Sequence, residues 1–259
     1  MSLRDALKAD FGVDVLVNGG SGRCNDPFII LPCSAAEAVR TQLVLLRGLG
    51  RGRGELWRLV QAEPVAGFAP AQQRLRIETV AFTHNEIISE TRTYYFDVSR
   101  VDGTPNAQAR VTAWADPRTS FAAPAQIGWL HFDAVIDNGQ DTSAFDVSLF
   151  YSGLGAKAAI YIYGFHDPLQ HVSSEERRAN ELQRVCNQVF GSHPDAKMPW
   201  PIREVGPFTL QHFLIGKDLS VAGVAINGSH YLKLRLTYFD DPKMRELMSI
   251  TVDELARVS

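Results

Sequence analysis

The sequence predicts an α+β protein in which antiparallel β-sheets are flanked by a few helices. Two observations predict this class. Several segments rich in β-branched and aromatic residues are separated by short turns, and short turns join antiparallel rather than parallel neighbours. Other segments carry apolar residues at helical spacing behind a helix-start signal. The 259-residue chain is 45% hydrophobic and 21% charged, an ordinary composition for a globular protein.

The first 26 residues are expected to form an N-terminal arm that ends in a flexible, glycine-rich stretch. Its Gly19-Gly20-Ser21-Gly22 run invites interpretation as a phosphate-binding loop. The run lacks the Gly-Lys-Ser/Thr ending of a P-loop and the GxGxxG spacing of a dinucleotide fold. A flexible connector is therefore the preferred interpretation.

Residues 27–120 are predicted to form the first of two sheet-bearing halves. Strands are predicted at 27–31, 55–61, 74–82, 87–98 and 109–115. A helix is predicted over 35–47, because Ser34 and Glu37 have the spacing of a capping box. Gly48 and Gly50 are expected to end this helix.

The second half is predicted over residues 125–259, after a linker at 117–126. Strands are predicted at 129–136, 145–151, 156–163, 208–215, 219–226 and 230–239. A second capping box at Ser173–Glu176 predicts a helix that ends at Gly191. Pro242 is expected at the first turn of a terminal helix with Met244, Leu247, Met248, Thr251 and Leu255 on its inner face.

Two segments of this half, AKAAIYIYGF at 156–165 and HYLKLRLTYFD at 230–240, resemble segments of uncharacterised bacterial proteins. The order of three strands, helix, three strands, helix resembles the Mog1/PsbP-like α/β/α sandwich over about residues 125–257. Members of that fold act more as binding or assembly accessories than as enzymes. The resemblance therefore implies a fold and an accessory role, and it assigns no function to any single residue.

The loop after the first predicted helix is rich in arginine and glycine. Arg51 and Arg53 lie among glycines and could contact an anion or a nucleic-acid backbone. The loop follows a helix C-terminus, however, where cations are favourable simply because they complement the helix dipole. With a formal net charge of only −3 and no basic half, no nucleic-acid partner is expected.

Candidate catalytic residues are scattered. His84 and Glu86 share a predicted turn, His166 lies in a loop, and Cys33 precedes a helix N-terminus that would lower the pKa of its thiol. His166, Asp167, His171 and Glu175 match no familiar zinc spacing, so neither a metal nor a cofactor is expected. These residues keep open the alternative of a hydrolase-like enzyme whose site is assembled only in the fold.

Residues 191–207 form the most unusual segment, a long loop in which Pro199 and Pro201 flank Trp200. Long loops inside compact domains are often functional, and a tryptophan restrained by prolines loses little entropy on docking. Trp200 is thus a candidate binding residue, and the alternative is that it folds back onto the sheet and covers its edge.

Together these observations favour a non-enzymatic binding or assembly protein that uses Trp200, Arg51 and Arg53 on an antiparallel sheet scaffold. A protein partner is expected, and a small ligand bound between the two halves is the other alternative. Three cysteines without a CxxC pair are typical of reduced thiols. With no signal-peptide core and no apolar run of spanning length, we expect a cytoplasmic protein that does not insert into membranes.

Overall fold

The computed structural model describes residues 5, 8, 14–51, 55–69, 71–82, 87–107, 112–139, 145–153, 155–165 and 172–259, without the side chains of Arg51 and Phe82. The chain divides into two compact units, residues 1–111 and 112–259. Antiparallel sheets and helices make up both, so the predicted α+β class is confirmed.

The elements of the first unit are β1 (Phe28–Ile29), β2 (Cys33–Ser34), α1 (Ala35–Arg51), β3 (Glu55–Val65), β4 (Gln72–Phe82), β5 (Ile87–Asp97) and β6 (Val101–Asp102). Its main sheet has the strand order β1-β5-β4-β3. The long strands pair antiparallel as predicted. β1 with β5 and β2 with β6 are parallel, because the long intervening chain allows a crossover that a short turn does not.

Helix α1 begins where the capping box predicts. The backbone N–H of Ser34 donates to the Glu37 carboxylate at 3.0 Å, and the amide of Glu37 donates back to the Ser34 hydroxyl at 3.4 Å. The predicted end was wrong, because the helix continues through Gly48 and Gly50 to Arg51. A Cβ on Gly50 would lie 2.9 Å from the Trp57 ring, so this glycine permits close helix-to-strand packing instead of ending the helix.

The prediction of an N-terminal arm was also wrong for the part that the structure describes. Val15 and Val17 are buried in the core of the first unit, beside residues of α1. Two of the glycines that follow, Gly20 and Gly22, lie in a crowded turn. A Cβ on Gly20 would lie 2.0 Å from the carbonyl oxygen of Pro27, which only glycine can tolerate.

The elements of the second unit are β7 (Thr112–Ala115), β8 (Ala122–Pro124), β9 (Gln126–Ile127), β10 (Leu130–Asp137), β11 (Asp146–Gly153), β12 (Ala156–Gly164), α2 (Ser174–Ser192), β13 (Arg203–Val205), β14 (Phe208–Ile215), β15 (Asp218–Asn227), β16 (His230–Phe239) and α3 (Pro242–Ala256). Strands β9 to β16 form one antiparallel sheet in the order β13-β14-β15-β16-β12-β11-β10-β9. The predicted linker at 117–126 instead contributes β8 and part of β9.

The helices of this unit pack on opposite faces of its large sheet. Leu182, Val185 and Val189 of α2 pack in a core cluster with Phe213 and Val224 of the sheet. Helix α3 instead packs against the face of the sheet that carries the side chains of Leu234 and Leu236. Val224 pairs with Lys233, the neighbour of Leu234 on β16, so Val224 and Leu234 point to opposite faces and the sheet lies between α2 and α3.

Both helices start as the sequence predicts. The Ser173 hydroxyl accepts a hydrogen bond from the amide of Glu176 at 3.1 Å. Asp241 caps α3 by accepting from the amide of Lys243 at 2.8 Å, with Pro242 in the first turn. All five residues predicted for the inner face of α3 are buried. Helix α2 ends at Ser192, one residue beyond the predicted Gly191.

Within the described ranges, no helix combines the length and the apolar character that crossing a membrane requires.

Candidate functional site: a cavity beside Trp200

The loop that carries Trp200 follows the outer edge of the large sheet. Lys197 pairs with Leu214 and Arg203 pairs with Leu210, so residues 198–202 form a bulge opposite the middle of β14. The side-chain amide of Gln211 holds this bulge by donating to the carbonyl oxygen of Trp200 at 3.0 Å. Bulges at sheet edges commonly redirect a side chain.

The Trp200 side chain folds back over the sheet and is half-buried. Its ring meets the imidazole of His212 edge to face, with the ring centroids 5.2 Å apart. On α3, the guanidinium of Arg245 lies 5.1 Å from the centroid of the Trp200 ring, within the range of a cation–π contact. Trp200 therefore contacts both β14 and α3.

Trp200 forms one wall of a cavity of about 330 Å³ between α3 and strands β13 to β16. Besides Trp200, the apolar part of its lining consists of Pro201, Val205, Leu210, Leu219, Val221, Leu236 and Val252. Its polar part consists of Arg203, His212, Tyr238, Arg245, Ser249 and Asp253. Mostly apolar walls with a few convergent polar groups are typical of small-molecule sites.

Two arginines give the cavity positive charge, and they differ in their partners. Arg245 forms an ion pair with Asp240 at 2.6 Å, and this hydrogen bond holds the pKa of the Asp240 carboxyl below its usual value. Arg203 is exposed and makes no ion pair with any residue in the described ranges. The positive charge available to a ligand is therefore that of Arg203.

His212 contributes an unsatisfied polar atom. Burial, with a further contribution from the charge of Arg203, lowers the pKa of His212, which favours the neutral imidazole at neutral pH. Its Nδ1 atom is buried and has no hydrogen-bond partner within the described part of the chain. Leaving such an atom unpaired costs about 1–3 kcal/mol.

The other predicted binding residues belong to the first unit. Arg51 is the last residue of α1, and the structure does not describe its side chain. Arg53 lies among the residues that the structure does not describe. Of the three predicted binding residues, only Trp200 is therefore placed within a described site.

The candidate catalytic residues gain little support. Cys33 is half-buried in β2, and burial raises the pKa of its thiol, as does the nearby carboxylate of Glu37. Activation by the helix N-terminus would require an exposed thiol, and burial together with the capping carboxylate instead raises the pKa of Cys33. His84, Glu86 and His166 lie outside the described residues, as do Asp167 and His171 of the proposed metal cluster.

In the described ranges, no group of three or more His, Cys, Asp or Glu side chains lies close enough together to hold a metal ion.

Sequence reasoning singled out Trp200 but missed Arg203, His212 and Arg245. One signal was available for α3, since Arg245, Ser249 and Val252 recur at helical spacing and therefore share one face. The residue of β14 that contacts Trp200 could not be predicted in this way, because the bulge determines which residue of β14 lies opposite Trp200.

Comparison with models of known protein families gave no match. A comparison with curated proteins likewise found no similar sequence.

Proposed function

We propose that this protein is a binding protein whose second unit holds a small amphipathic anion in the Trp200 cavity. The observation that carries this proposal is the combination, in one cavity of about 330 Å³, of an apolar wall closed by Trp200 and an arginine, Arg203, that has no ionic partner among the described residues. The binding role expected from the sequence is retained, with a small ligand as the partner.

The chemistry of the lining defines the class of ligand. The leucine and valine side chains and the Trp200 ring favour an aromatic or branched aliphatic body. The guanidinium of Arg203 favours a carboxylate, which it can bind through two parallel hydrogen bonds. An aryl-substituted short-chain carboxylate combines these features.

The test compares 3-phenylpropionate with its neutral analogue 3-phenylpropanol by titration calorimetry on the whole chain. We expect the carboxylate to bind more tightly than the alcohol, and Arg203→Met to remove that preference. Trp200→Ala should weaken binding of both probes by about tenfold, because it removes a wall that both contact. Trp114→Ala, which changes another half-buried tryptophan outside the cavity, is the matched control and should bind as the wild type does.

Two outcomes would contradict the proposal. One is that neither probe binds to the wild type. The other is that Trp200→Ala and Arg203→Met bind both probes as tightly as Trp114→Ala does.

A protein partner is the second candidate, because Met198 and Ile202 beside Trp200 are 53% and 57% exposed. In this case an apolar side chain of the partner would fill the cavity, and the two exposed residues would pack around it. The double substitution Met198→Ser, Ile202→Ser distinguishes the candidates. It should leave binding of 3-phenylpropionate unchanged if the ligand is small, and should abolish association with the partner if the ligand is a protein.

A further inference from the structure

A second cavity, of about 340 Å³, lies on the opposite face of the same sheet, under the C-terminal part of α2. Strand register places four of its sheet residues on one face, since Tyr161 pairs with Lys233 and Ala222 pairs with Arg235. The Trp200 cavity is lined from the other face, through Leu210 and Leu236. The two cavities are therefore separate sites.

Lys233 lies in this cavity with its ammonium group on aromatic rings. Its Nζ atom is 4.8 Å from the ring centroid of Tyr161 and 5.3 Å from that of Tyr163. Burial lowers the pKa of Lys233, while the carboxylate of Glu181 opposes that shift. Glu181 itself is bound by Tyr163 and Arg184, so it does not form an ion pair with Lys233.

Arg235 adds a second cation two residues further along the same strand and on the same face. It is exposed and forms no ion pair within the described ranges. Its charge also contributes to lowering the pKa of Lys233. Lys233 and Arg235 are neighbouring cations that repel each other, and Lys233 is also partly desolvated. An anion bound between them would offset the free-energy cost of this repulsion.

The remaining polar lining suits an anion with several acceptor oxygens. Gln188, Ser192, His193 and Ser220 line the cavity. None of the described residues that line it is acidic. A lysine, an arginine and several neutral donors together match a phosphate, which is a dianion with three terminal acceptor oxygens.

We propose that this cavity binds the phosphate group of a small phosphorylated molecule, with Lys233 and Arg235 on the phosphate oxygens and the ring of Tyr161 beside the organic part. The proposal concerns a different site from the Trp200 cavity and does not depend on it.

The test is a titration of the whole protein with phenyl phosphate and with inorganic phosphate, followed by calorimetry and by chemical-shift mapping. We expect phenyl phosphate to bind, with shifts concentrated at Ser220, Lys233 and the C-terminal part of α2. Lys233→Met and Arg235→Met should each weaken binding of phenyl phosphate by about tenfold, because each removes one charge-assisted hydrogen bond to the phosphate. Lys217→Met, which changes an exposed lysine in the turn before β15, should bind as the wild type does.

The variants also guard against an effect of misfolding. Arg235 is exposed, so its substitution tests the site without disturbing the core even if Lys233→Met unfolds. The proposal is overturned if the wild type binds neither probe, or if Arg235→Met binds phenyl phosphate as tightly as Lys217→Met. Shifts that fall on the Trp200 indole in place of Ser220 would also overturn it, by assigning the anion to the other cavity.

Discussion

The carboxylate of Glu181 on α2 is only 3% exposed, yet it is ionised. Burial by itself would raise the pKa of Glu181, but hydrogen bonds from Arg184 and Tyr163 outweigh it and lower that pKa. Two of these bonds come from the guanidinium of Arg184, at 2.6 and 2.8 Å. The same carboxylate, together with burial, raises the pKa of the Tyr163 hydroxyl.

Replacing Arg184 by methionine should therefore destabilise the protein. Removing one partner of a buried ion pair costs about 3–5 kcal/mol, and the 40% exposure of the Arg184 side chain reduces the expected loss to about 2 kcal/mol at neutral pH. Urea unfolding measures this loss. Gln183→Met, on an exposed position of the same helix, is the matched control and should change stability by less than about 0.5 kcal/mol.

The pH dependence of that difference follows from the direction of the pKa shift. In the wild type the folded pKa of Glu181 is below its unfolded value of 4.5, so its stabilising contribution is present above that pH. This contribution is lost as the pH falls through the lowered folded pKa. The stability of wild type and Arg184→Met should therefore converge in acid, and a difference that stays constant as the pH falls would contradict the assigned role of Glu181.

Single residues also show how far the candidate site could be predicted. Trp200 was identifiable, because two flanking prolines and a long loop are visible in the sequence itself. His212 was not identifiable, because it is one of several residues on β14 that point to the same face. Only the position of Trp200, which the strand pattern does not give, makes His212 a site residue. For Cys33 the sequence left open whether the thiol is exposed, and burial, followed by the charge of Glu37, raises its pKa.

At the scale of elements, the packing of α3 on the sheet depends on a close contact at Gly128. This glycine, between β9 and β10, has a φ of +54°. A Cβ at this position would lie 2.6 Å from the Cα of Thr251 on α3. The backbone amide of Gly128 donates a hydrogen bond to the Glu254 carboxylate of the same helix, and the amide of Trp129 donates one to the Thr251 hydroxyl. The turn and the helix therefore touch with no room for a side chain.

Gly128→Ala should consequently cost more than the backbone strain alone. The left-handed conformation costs a non-glycine residue about 1–2 kcal/mol, and the clash with α3 adds about 1–3 kcal/mol. Gly228→Ala is the matched control, because Gly228 has a similar φ of +58° and no atom within 4 Å of the added Cβ. Thermal unfolding should place Gly128→Ala clearly below Gly228→Ala, and equal midpoints would show that α3 moves away without cost.

Local signals predicted the elements well wherever capping and turn chemistry agreed with the apolar pattern. The bounds of β14 and β16 and the start of α3 agree with the prediction. The end of α1 did not agree with the prediction, because glycine can either end a helix or permit close packing against it. Only the position of Trp57 in the fold distinguishes these two roles. The buried Val15 and Val17 were missed because their partners lie far along the chain.

At the scale of the whole molecule, pairing between distant strands decides where the cavities lie. β12 pairs with β16, and this joins two runs of four antiparallel strands into one sheet. No local pattern in either strand specifies that partner, so two sheet-bearing halves were predictable while the strand order was not. The described residues that line the two cavities all belong to the second unit.

Among the described residues, each unit has a cluster of buried hydrophobic side chains that all belong to that unit. We therefore expect a fragment comprising residues 112–259 to fold cooperatively and to retain binding of 3-phenylpropionate and of phenyl phosphate, if those ligands bind the whole chain. Its far-ultraviolet circular dichroism and its unfolding by urea provide the measurement. A fragment that is unfolded in isolation would show that the second unit requires the first.

The start of this fragment is itself a prediction, because the sequence placed the boundary in a linker at 117–126. Phe121 is 1% exposed, the Ser120 hydroxyl donates to Asn227 at 2.7 Å, and the Tyr151 hydroxyl donates to the carbonyl oxygen of Pro124 at 2.9 Å. A shorter fragment, residues 125–259, loses all three interactions. Since truncating a buried phenylalanine alone costs about 3–5 kcal/mol, it should be less stable than 112–259 by at least about 3 kcal/mol. Equal urea midpoints for the two fragments would mean that the β7–β8 hairpin adds nothing to the stability of the second unit.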